Sequence, residues 1–424
     1  SMIYKAQRGT FDILPENETI WERVRKICLD TAKLYGYNYI ETPIFEDSEV
    51  FERTVGQNTD IVEKEMYTFL DKGGQSISLR PENTAGVCRA FIERGLHNRT
   101  LPIRLFYYGT MFRYERPQSG RFRQFHQFGI ECIGDSDYEI DYEIIEIGWN
   151  IIKNLGIKNS KLNINSLGDN NDRLDYIKVL KEYFERYKND LPKVDQLRLE
   201  NAPLRLLDSK EKSTIEIAKN APKTLDYLSE EAKSHHTNLI KKLKLLNEID
   251  EDFKFVENYK LVRGLDYYNR TVFEFTTDSS GPQGVILGGG RYDPLIKKLG
   301  GPDTPAVGFA MGIERIINEI NNKDDDFSNQ IDVVIVITED IFREESQSLA
   351  NNLRKNKIKT IIAPNKSVKA QMRYANNVNS KSVIFIGEKE LKNNSITLKL
   401  LNSSEDQMTF SNDNIDKIKQ LLRI

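Results

Sequence analysis

Strand-like runs of sequence follow one another across short turns in the first part of the chain. The clearest pair, 104–115 and 122–133, is followed by further runs at 161–167, 259–277 and 284–287. Parallel neighbours need a crossover of about a dozen residues or more, whereas antiparallel neighbours need only a turn. We therefore predict an antiparallel sheet flanked by helices, an α+β architecture, rather than a series of β-α-β units.

Helical periodicity accompanies these strands. Residues 18–35 place apolar side chains, Leu34 among them, on or near one stripe, and residues 84–96 show a second helical pattern. Ser136 and Glu139 have the spacing of a capping box, which predicts that a third helix begins there.

Sequence character changes twice further along the chain. Residues 170–255 are dense in Lys, Glu, Asp and Leu, which predicts a helical insertion, and the polar stretch 321–330 is typical of a linker. Strand and helix patterns then alternate over 332–388, which indicates a small α/β domain with a parallel or mixed sheet. We expect one domain at 1–325, which contains the insertion, and a second at 326–424.

Composition narrows the class of protein. The 424 residues are 39% hydrophobic and 29% charged, which suffices for a large core, and the net charge of -3 gives no global sign of a nucleic-acid partner. Cys28, Cys88 and Cys132 are far apart, and His235 and His236 lie in a lysine-rich stretch, so we predict neither disulfides nor a metal site. Residues 3–15 do not resemble a signal peptide, and no apolar run is long enough to cross a membrane. We expect a cytoplasmic protein with no membrane partner.

The segment 111–132 is the most informative for function. Residues of a strand alternate between its two faces, and one alternate set here is mostly apolar. The other set combines arginines, whose planar fork suits phosphate oxygens, with an aromatic ring that can stack on a base. A charged, solvated outer face is the alternative for this segment by itself. The members of the second set are Arg113, Glu115, Arg121, Arg123, Phe125, Gln127, Gly129 and Glu131.

Companion segments resemble the histidyl form of class II aminoacyl-tRNA synthetases. The hairpin 112–131 is similar to motif 2 of that class, and residues 308–315 are similar to motif 3. The other matching segments are Pro43 for motif 1, 79–85 for the substrate loop, and 261–268 and 288–293 for the two histidine-specific motifs. Their order along the chain makes the resemblance specific.

Each companion segment taken alone has a simpler interpretation. The glycines 288–290 lack the spacing of a P-loop or a dinucleotide fingerprint and would predict a turn. Phe309 and Ile313 would predict core packing, as would the aromatic pair Tyr267 and Tyr268. Only the ordered set of segments indicates a synthetase.

The resemblance implies that histidine attacks the α-phosphate of ATP, which arrives with Mg²⁺, and that the resulting adenylate is transferred to tRNA for histidine. Positioning and charge stabilisation dominate such phosphoryl chemistry. Arg113 and Arg263 are implied as the catalytic residues at the α-phosphate. The residues implied for ATP binding are Arg113, Glu115, Arg121, Phe125 and Arg315.

The same resemblance implies a histidine site. Glu82 and Thr84, with Gln127, would hold the α-amino group, while Glu131 and Tyr268 would recognise the ring nitrogens. Many relatives have glycine where this chain has Asn83, which bears on the shape of the substrate loop. The full set implied for histidine is Glu82, Thr84, Arg113, Gln127, Glu131, Arg263, Tyr267 and Tyr268.

Contacts with macromolecules are implied as well. Arg116 and Gln118 in the hairpin turn would reach the acceptor end of the tRNA, and the insertion would clamp its acceptor stem. The family is also homodimeric, with Pro43 near the interface. The basic residues implied for the anticodon are Lys366, Lys369, Arg373 and Lys381 of an anticodon-binding α/β domain.

Two other classes of protein share such a core. The regulatory subunit of ATP phosphoribosyltransferase uses it to sense histidine without catalysis, and lacks the C-terminal domain and some ATP-binding arginines. An RNA-binding or signalling module on the same core has no need of a triphosphate site. Adenylate formation separates the enzyme from both.

Overall fold

The structure is a computed structural model that describes residues 3–118, 120–278, 284–320, 329–405 and 407–424. The chain divides into two compact units, Ser1–Asp324 and Asp325–Ile424. Ser119 of the predicted turn and most of the predicted linker at 321–330 lie outside the described residues. Within the described ranges, no helix is both long and apolar enough to cross a membrane.

The strands of the larger unit form one main sheet and one small sheet. They are β1 (Asn38–Tyr39), β2 (Phe45–Asp47), β3 (Thr68–Leu70), β4 (Ser76–Leu79), β5 (Ile103–Phe112), β6 (Gln124–Ile133), β7 (Ser160–Ser166), β8 (Phe255–Glu257), β9 (Asn269–Thr277), β10 (Val285–Arg291) and β11 (Ala306–Gly312). Among the described residues the main sheet has the order β1-β5-β6-β11-β10-β9-β7-β8, and the small sheet has the order β2-β4-β3.

The predicted antiparallel sheet is confirmed for the centre of the main sheet. Every pair from β5 to β7 is antiparallel, whereas the edge pairs β1–β5 and β7–β8 are parallel. The edge strands β1 and β8 are too short to show an alternation of polar and apolar residues, so no pattern predicted them.

Helices cover both faces of the main sheet. They are α1 (Glu18–Leu34), α2 (Ser48–Thr54), α3 (Thr84–Glu93), α4 (Tyr138–Asn154), α5 (Asn170–Glu185), α6 (Lys193–Asn201), α7 (Lys212–Ala218), α8 (Glu230–Ile249), α9 (Leu295–Lys298) and α10 (Ile313–Glu319). One core cluster joins α1, α4, α8 and α10 to the sheet, and a second joins α2, α3, α5 and α6 to its other face.

Three local predictions were wrong. The α4 cap is Asp137, which accepts a hydrogen bond from the backbone N–H of Glu139, rather than Ser136. Leu34 at the end of α1 is 83% exposed instead of packing on the apolar stripe. The strand predicted at 259–277 begins only at Asn269, because the residues before it form a loop beside the site.

The hairpin β5–β6 has the two faces predicted from its alternation. Phe128, Ile130 and Cys132 are fully buried in the first core cluster. Gln127 and Glu131 point to the opposite face of the sheet, which adjoins the second cluster. The site residues of this hairpin therefore share one face, and the core fixes its register.

A buried ion pair links three elements of the larger unit. The Arg291 guanidinium and the Asp141 carboxylate are both inaccessible to solvent and are hydrogen-bonded to each other. His235 of α8 lies 2.8 Å from Asp141 through Nε2, so the histidine predicted in a polar stretch is buried instead. Arg291 also donates to the carbonyl oxygens of Asp135 and Asp137.

Replacement of Asp141 by alanine is expected to lower the free energy of unfolding by about 3 kcal/mol, because Arg291 would stay buried without its main counterion. The remaining carbonyl acceptors and Asp293, 3.0 Å away, keep the loss at the lower end of the range for such pairs. Urea denaturation measures it. A change as small as that of an exposed pair, such as Asp30→Ala beside Lys26, would contradict a structural role for the buried pair.

The smaller unit forms a mixed α/β layer. Its elements are β12 (Val333–Ile337), α11 (Arg343–Lys355), β13 (Thr360–Ile362), α12 (Val368–Asn377), β14 (Ser382–Ile386), α13 (Glu388–Lys392), β15 (Ser395–Leu400), β16 (Met408–Ser411) and α14 (Ile415–Leu422). The order is β13-β12-β14-β15-β16, with β12 parallel to both neighbours and the last two strands antiparallel. This agrees with the predicted parallel or mixed sheet.

Candidate functional site

A cavity of about 410 Å³ opens where the hairpin β5–β6 meets β10 and β11. Its wall combines four arginines with carboxylate, amide and aromatic side chains. Seven of the predicted site residues line it together: Arg113, Glu115, Arg121, Phe125, Gln127, Arg263 and Arg315. The residues come from three separate motifs, so the fold brings together what the sequence separates by about two hundred positions.

A second cavity of about 440 Å³ shares part of this wall with the first. Arg113, Glu115, Arg121 and Arg263 line both cavities. The insertion contributes further polar residues to the second wall that were not predicted for the site, and two of them, Asp208 and Lys210, also line the first cavity. These contributions are Arg198, Arg205, Asp208, Lys210 and Glu211.

A buried carboxylate fixes the part of the insertion that faces the cavities. Asp195 is fully buried and accepts hydrogen bonds from the hydroxyls of Ser209 at 2.6 Å and Thr214 at 2.5 Å. Ser209 sits between Asp208 and Lys210, so its anchored side chain holds that turn against the site. Lys210 thereby adds a positive charge to the wall.

Arg263 is held in the cavity wall by a carboxylate. Its Nη1 donates to Glu274 at 2.7 Å, and its side chain is only 19% exposed. Burial opposes the charged form, but Glu274 outweighs it, so the pKa of Arg263 is raised and the guanidinium stays charged. Its buried Nε has no hydrogen-bond partner in the described structure.

Gly288 explains how Arg263 reaches this position. A β-carbon at Gly288 would lie 2.0 Å from the Arg263 guanidinium, so only glycine leaves room for it. At Gly290 a β-carbon would lie 2.9 Å from the ring of Tyr268 and 2.3 Å from the carbonyl of Thr271. These glycines belong to the buried strand β10, so the turn that they predicted in isolation was wrong.

Arg113 follows directly after β5 and faces the cavity. Its Nε donates to the carbonyl of Pro81 at 2.8 Å, and its guanidinium carbon lies 5.3 Å from the centre of the Phe125 ring. Arg315 donates to the carbonyl of Val285 at 3.2 Å. Backbone acceptors thus orient both arginines, and the cavity lining carries five cationic side chains against three carboxylates.

Two buried carboxylates lie beside the cavity, behind its arginine wall. Glu82 accepts from the backbone N–H groups of Thr84 at 2.8 Å and Ala85 at 3.0 Å, and from the Tyr267 hydroxyl at 3.3 Å. Burial raises the pKa of Glu82 despite these donors and despite the charge of Arg113. Of the residues predicted for histidine, Arg113, Gln127 and Arg263 line the cavity, whereas the others do not. These others are Glu82, Thr84, Glu131, Tyr267 and Tyr268.

Glu131 is the second of these carboxylates. It accepts from the Thr84 hydroxyl at 2.6 Å and from the hydroxyl of Tyr292, a residue that the sequence analysis did not assign to the site. A β-carbon at Gly308 would collide with it, which accounts for that glycine of β11. Burial raises the pKa of Glu131 from 4.5 to about 8.

Orphaned polar atoms mark the same region. The Tyr107 hydroxyl, the Oε1 atom of Gln127 and Nε of Arg263 are buried and have no hydrogen-bond partner among the residues that the structure describes. Buried polar groups are almost always paired, so such a cluster is typical of a site that pairs with a ligand. Tyr107 is a further residue that the sequence analysis missed, although it occupies the same face of the hairpin as Glu131, its diagonal neighbour on β5.

The raised pKa of Glu131 predicts a pH dependence of stability. Between pH 4.5 and about 8 the folded protein keeps a proton on Glu131 that the unfolded chain has lost. The stability that this group contributes is therefore fully present below pH 4.5, and it is lost as the pH rises through the folded-state pKa of about 8. Glu131→Gln removes this titration. The free energy of unfolding of the variant minus that of the parent should therefore increase from pH 5 to pH 8. Denaturant unfolding of both proteins at pH 5 and pH 8 tests this prediction. The same variant-minus-parent difference at the two pH values would contradict it.

The residues predicted to contact tRNA lie at the surface. Arg116 and Gln118 are exposed in the hairpin loop, and the backbone of Gln118 pairs with that of Arg121. In the smaller unit, Lys366, Lys369 and Arg373 are exposed. Lys381 pairs with Asp332 at 3.0 Å, which gives it a structural contact as well.

Family models and curated proteins match most of the chain. The histidyl-tRNA synthetase model matches residues 9–316, and an anticodon-binding domain model matches residues 332–421. The histidine–tRNA ligase of Dehalococcoides mccartyi is 46% identical over 92% of this chain and 93% of its own length. That of Dictyoglomus thermophilum is 42% identical over 94% of this chain and 95% of its own length.

Solved structures agree. The apo histidyl-tRNA synthetase of S. aureus is 35% identical, with a TM-score of 0.82, and the match covers 98% of this chain and all of that one. A Bacillus halodurans protein described as an ATP phosphoribosyltransferase regulatory subunit/histidyl-tRNA synthetase is 25% identical, with a TM-score of 0.66, over 91% of this chain and 98% of that one. Family model, sequence identity and fold coincide over both units, and the chain belongs to the histidyl-tRNA synthetase family.

Proposed function

We propose that this chain is a histidine–tRNA ligase. It activates L-histidine with ATP to give histidyl-adenylate and pyrophosphate, and then transfers the histidyl group to the 3′ end of tRNA for histidine. One observation supports this most strongly: four arginines from three motifs line a single cavity beside two buried carboxylates.

The arginines are suited to the phosphates of ATP. Arg113 and Arg263 flank the α-phosphate, where the histidine carboxylate attacks and pyrophosphate leaves, and they stabilise the negative charge of the transition state. Arg121 and Arg315 hold the distal phosphates. Phe125 stacks on adenine, and Glu115 contributes to the nucleotide site.

The buried cluster is suited to histidine. Glu82 and Thr84, with Gln127, take the α-amino group. Glu131 accepts an N–H of the imidazole, and Tyr268 contacts the other side of the ring, while Tyr267 orients Glu82. A buried site with such groups rejects amino acids that leave them unpaired, so editing is unnecessary.

Mg²⁺ enters with ATP as part of the substrate. Glu65 and Glu115 line the second cavity together, and their proximity, after burial, raises the pKa of Glu65 to about 7. A cation would relieve this excess of negative charge, so the residues fit a metal that needs few protein ligands. No larger cluster of candidate ligands occurs among the described residues.

tRNA binding completes the proposal. Arg116 and Gln118 reach the acceptor end, the insertion contacts the acceptor stem, and the exposed basic residues near α12 bind the anticodon. Counterion release makes this binding weaken as salt increases. Charging of unfractionated bacterial tRNA with labelled histidine tests the function. Acid-precipitable label supports the ligase, and its absence with active tRNA would favour the histidine-sensing regulator.

A homodimer is also part of the proposal. The small sheet exposes Phe45 at 55%, Phe69 at 48% and Leu70 at 70%, and Ile44, next to the motif 1 Pro43, at 45%. Phe45 and Phe69 lie on the same face of this sheet, opposite Leu79 and Ile77 of β4, and exposed apolar side chains that share a face are typical of an interface. Sedimentation should give twice the chain mass of 49.1 kDa, and a monomer at working concentration would contradict the dimer.

A further inference from the structure

An N-terminal strap, residues 7–11, crosses the base of the hairpin loop (residues 113–118 and 120–123). The carbonyl of Gly9 accepts hydrogen bonds from the backbone N–H groups of Arg123 at 2.8 Å and Gln124 at 3.4 Å. The Phe11 ring lies 4.7 Å from the Phe122 ring, measured between centres. The strap is thus bonded to the return arm of the hairpin at the point where β6 begins.

Arg123 connects this contact to the other arm. Its carbonyl accepts from the backbone N–H of Arg113 at 2.9 Å, and its Nε donates to the carbonyl of Glu115 at 3.1 Å. Its guanidinium carbon lies 3.9 Å from the centre of the Tyr114 ring. A shift of Arg123 would therefore move both arms of the loop, together with the cavity residue Arg121.

Gly9 permits the close approach. Its φ of +81° is rarely adopted by other residues, and a β-carbon there would lie 2.6 Å from Cγ and 2.9 Å from Cβ of Arg123. Since Cβ is fixed to the backbone, Arg123 cannot avoid that clash by rotating its side chain. Thr10 stabilises the local turn, because its hydroxyl donates to the carbonyl of Gln7 at 2.6 Å.

We propose that the strap is a positioning element for ATP: through Gly9 and Phe11 it holds the hairpin loop so that Arg113 and Arg121 face the triphosphate. This inference rests on the proposed function and extends it to a segment that lines neither cavity itself but contacts Phe122, which lines the first one. The strap acts on the nucleotide side of the site, because its contact Phe122 lines the first cavity and Arg123, which it anchors, is bonded to the backbone of the cavity residue Arg113. Its loss should affect ATP and leave histidine recognition largely unchanged.

Gly9→Ala tests the strap, and Gly36→Ala is its matched control. Gly36 has the same φ of +81°, but beyond its two chain neighbours no described residue has an atom within 4 Å of its added β-carbon, so Gly36→Ala reproduces the backbone strain alone. In pyrophosphate exchange we expect Gly9→Ala to lower kcat/KM for ATP by on the order of 10²-fold, since small displacements of positioning groups have such effects. KM for histidine should change by less than about 3-fold, and Gly36→Ala should match the parent in both. Equal ATP kinetics for the two variants would overturn the proposal.

A second measurement separates the strap from the activity itself. Limited trypsin digestion should cleave after Arg121 or Arg123 faster in Gly9→Ala than in Gly36→Ala, because the loop is no longer held. This holds even if the parent forms no adenylate, in which case the proposed function fails while the strap is still tested. If Gly9→Ala does not fold, Phe11→Ala replaces it. Ile13→Ala, two residues beyond the strap, is then the control. Unchanged cleavage in Phe11→Ala would then refute the strap.

Discussion

Arg263→Ala is expected to lower the rate of histidine-dependent adenylate formation by on the order of 10²–10³-fold, with only a modest loss of ATP affinity. The guanidinium is kept charged and oriented by Glu274, 2.7 Å away, and is fitted over Gly288. An interaction made mainly in the transition state reduces kcat, whereas one made equally in the bound substrate raises KM. Single-turnover adenylation with the KM for ATP measured in parallel distinguishes the two.

Arg104→Ala is the matched control for this change. Arg104 is also part-buried and paired with a carboxylate, Glu143 at 3.0 Å, but it lines neither cavity. The control should retain the parental rate. An unchanged activation rate in Arg263→Ala would remove Arg263 from the mechanism, and thermal melting of both variants excludes unfolding as the cause of a loss.

Glu131→Gln is expected to remove most of the preference for histidine. Phenylalanine has a ring of similar size but no N–H group to donate to Glu131, so the parent should reject it by about 10⁴-fold. The amide cannot accept an N–H with the strength of a carboxylate, so kcat/KM for histidine should fall by about 10³-fold while that for phenylalanine changes little. Exchange assays with each amino acid give the ratio.

The control for Glu131 is Glu143→Gln, which alters a part-buried carboxylate remote from the cavity lining. It should leave selectivity unchanged. A Glu131→Gln variant that still selects histidine as well as the parent would exclude Glu131 from ring recognition. Glu82 and Tyr268 would then be the groups to examine.

Alternation along the hairpin predicted the shape of the site well. Because successive strand residues face opposite sides, the sequence alone put Gln127 and Glu131 on one face and Phe128 and Ile130 on the other. The structure has this arrangement, with the second pair buried in the core. Motif order then identified residues such as Arg263, whose place in the cavity no local pattern could have given.

Strand alternation and motif order could not predict the site residues that come from outside the motifs. Asp208 and Lys210 lie in a charged helical insertion, where a lysine is by default a solvated side chain. Their position follows from the buried Asp195 anchor, and a hydrogen bond between residues far from the motifs leaves no periodic trace in the sequence. Tyr107 was not predicted as a site residue for a different reason. A tyrosine on a strand is normally a packing residue.

Short-range signals misled the prediction where tertiary contacts override them. The glycines 288–290 signal a turn in isolation, yet they pair with β9 and β11 as part of a strand. Glycine is needed there because Arg263, Tyr268 and β11 occupy the space of the β-carbons. Arg291 follows them in the same motif but is fully buried against Asp141, so its role is structural. Motif membership therefore does not by itself assign a residue to the reaction.

Histidine-dependent exchange of labelled pyrophosphate into ATP, with all twenty amino acids tested separately, examines the central claim most directly. It requires the arginine cavity to bind ATP and the buried carboxylates to select the amino acid, in one reaction and without tRNA. We predict exchange with histidine alone. No exchange with any amino acid, from protein shown to be folded by its melting transition, would contradict the ligase and indicate a histidine-sensing regulator.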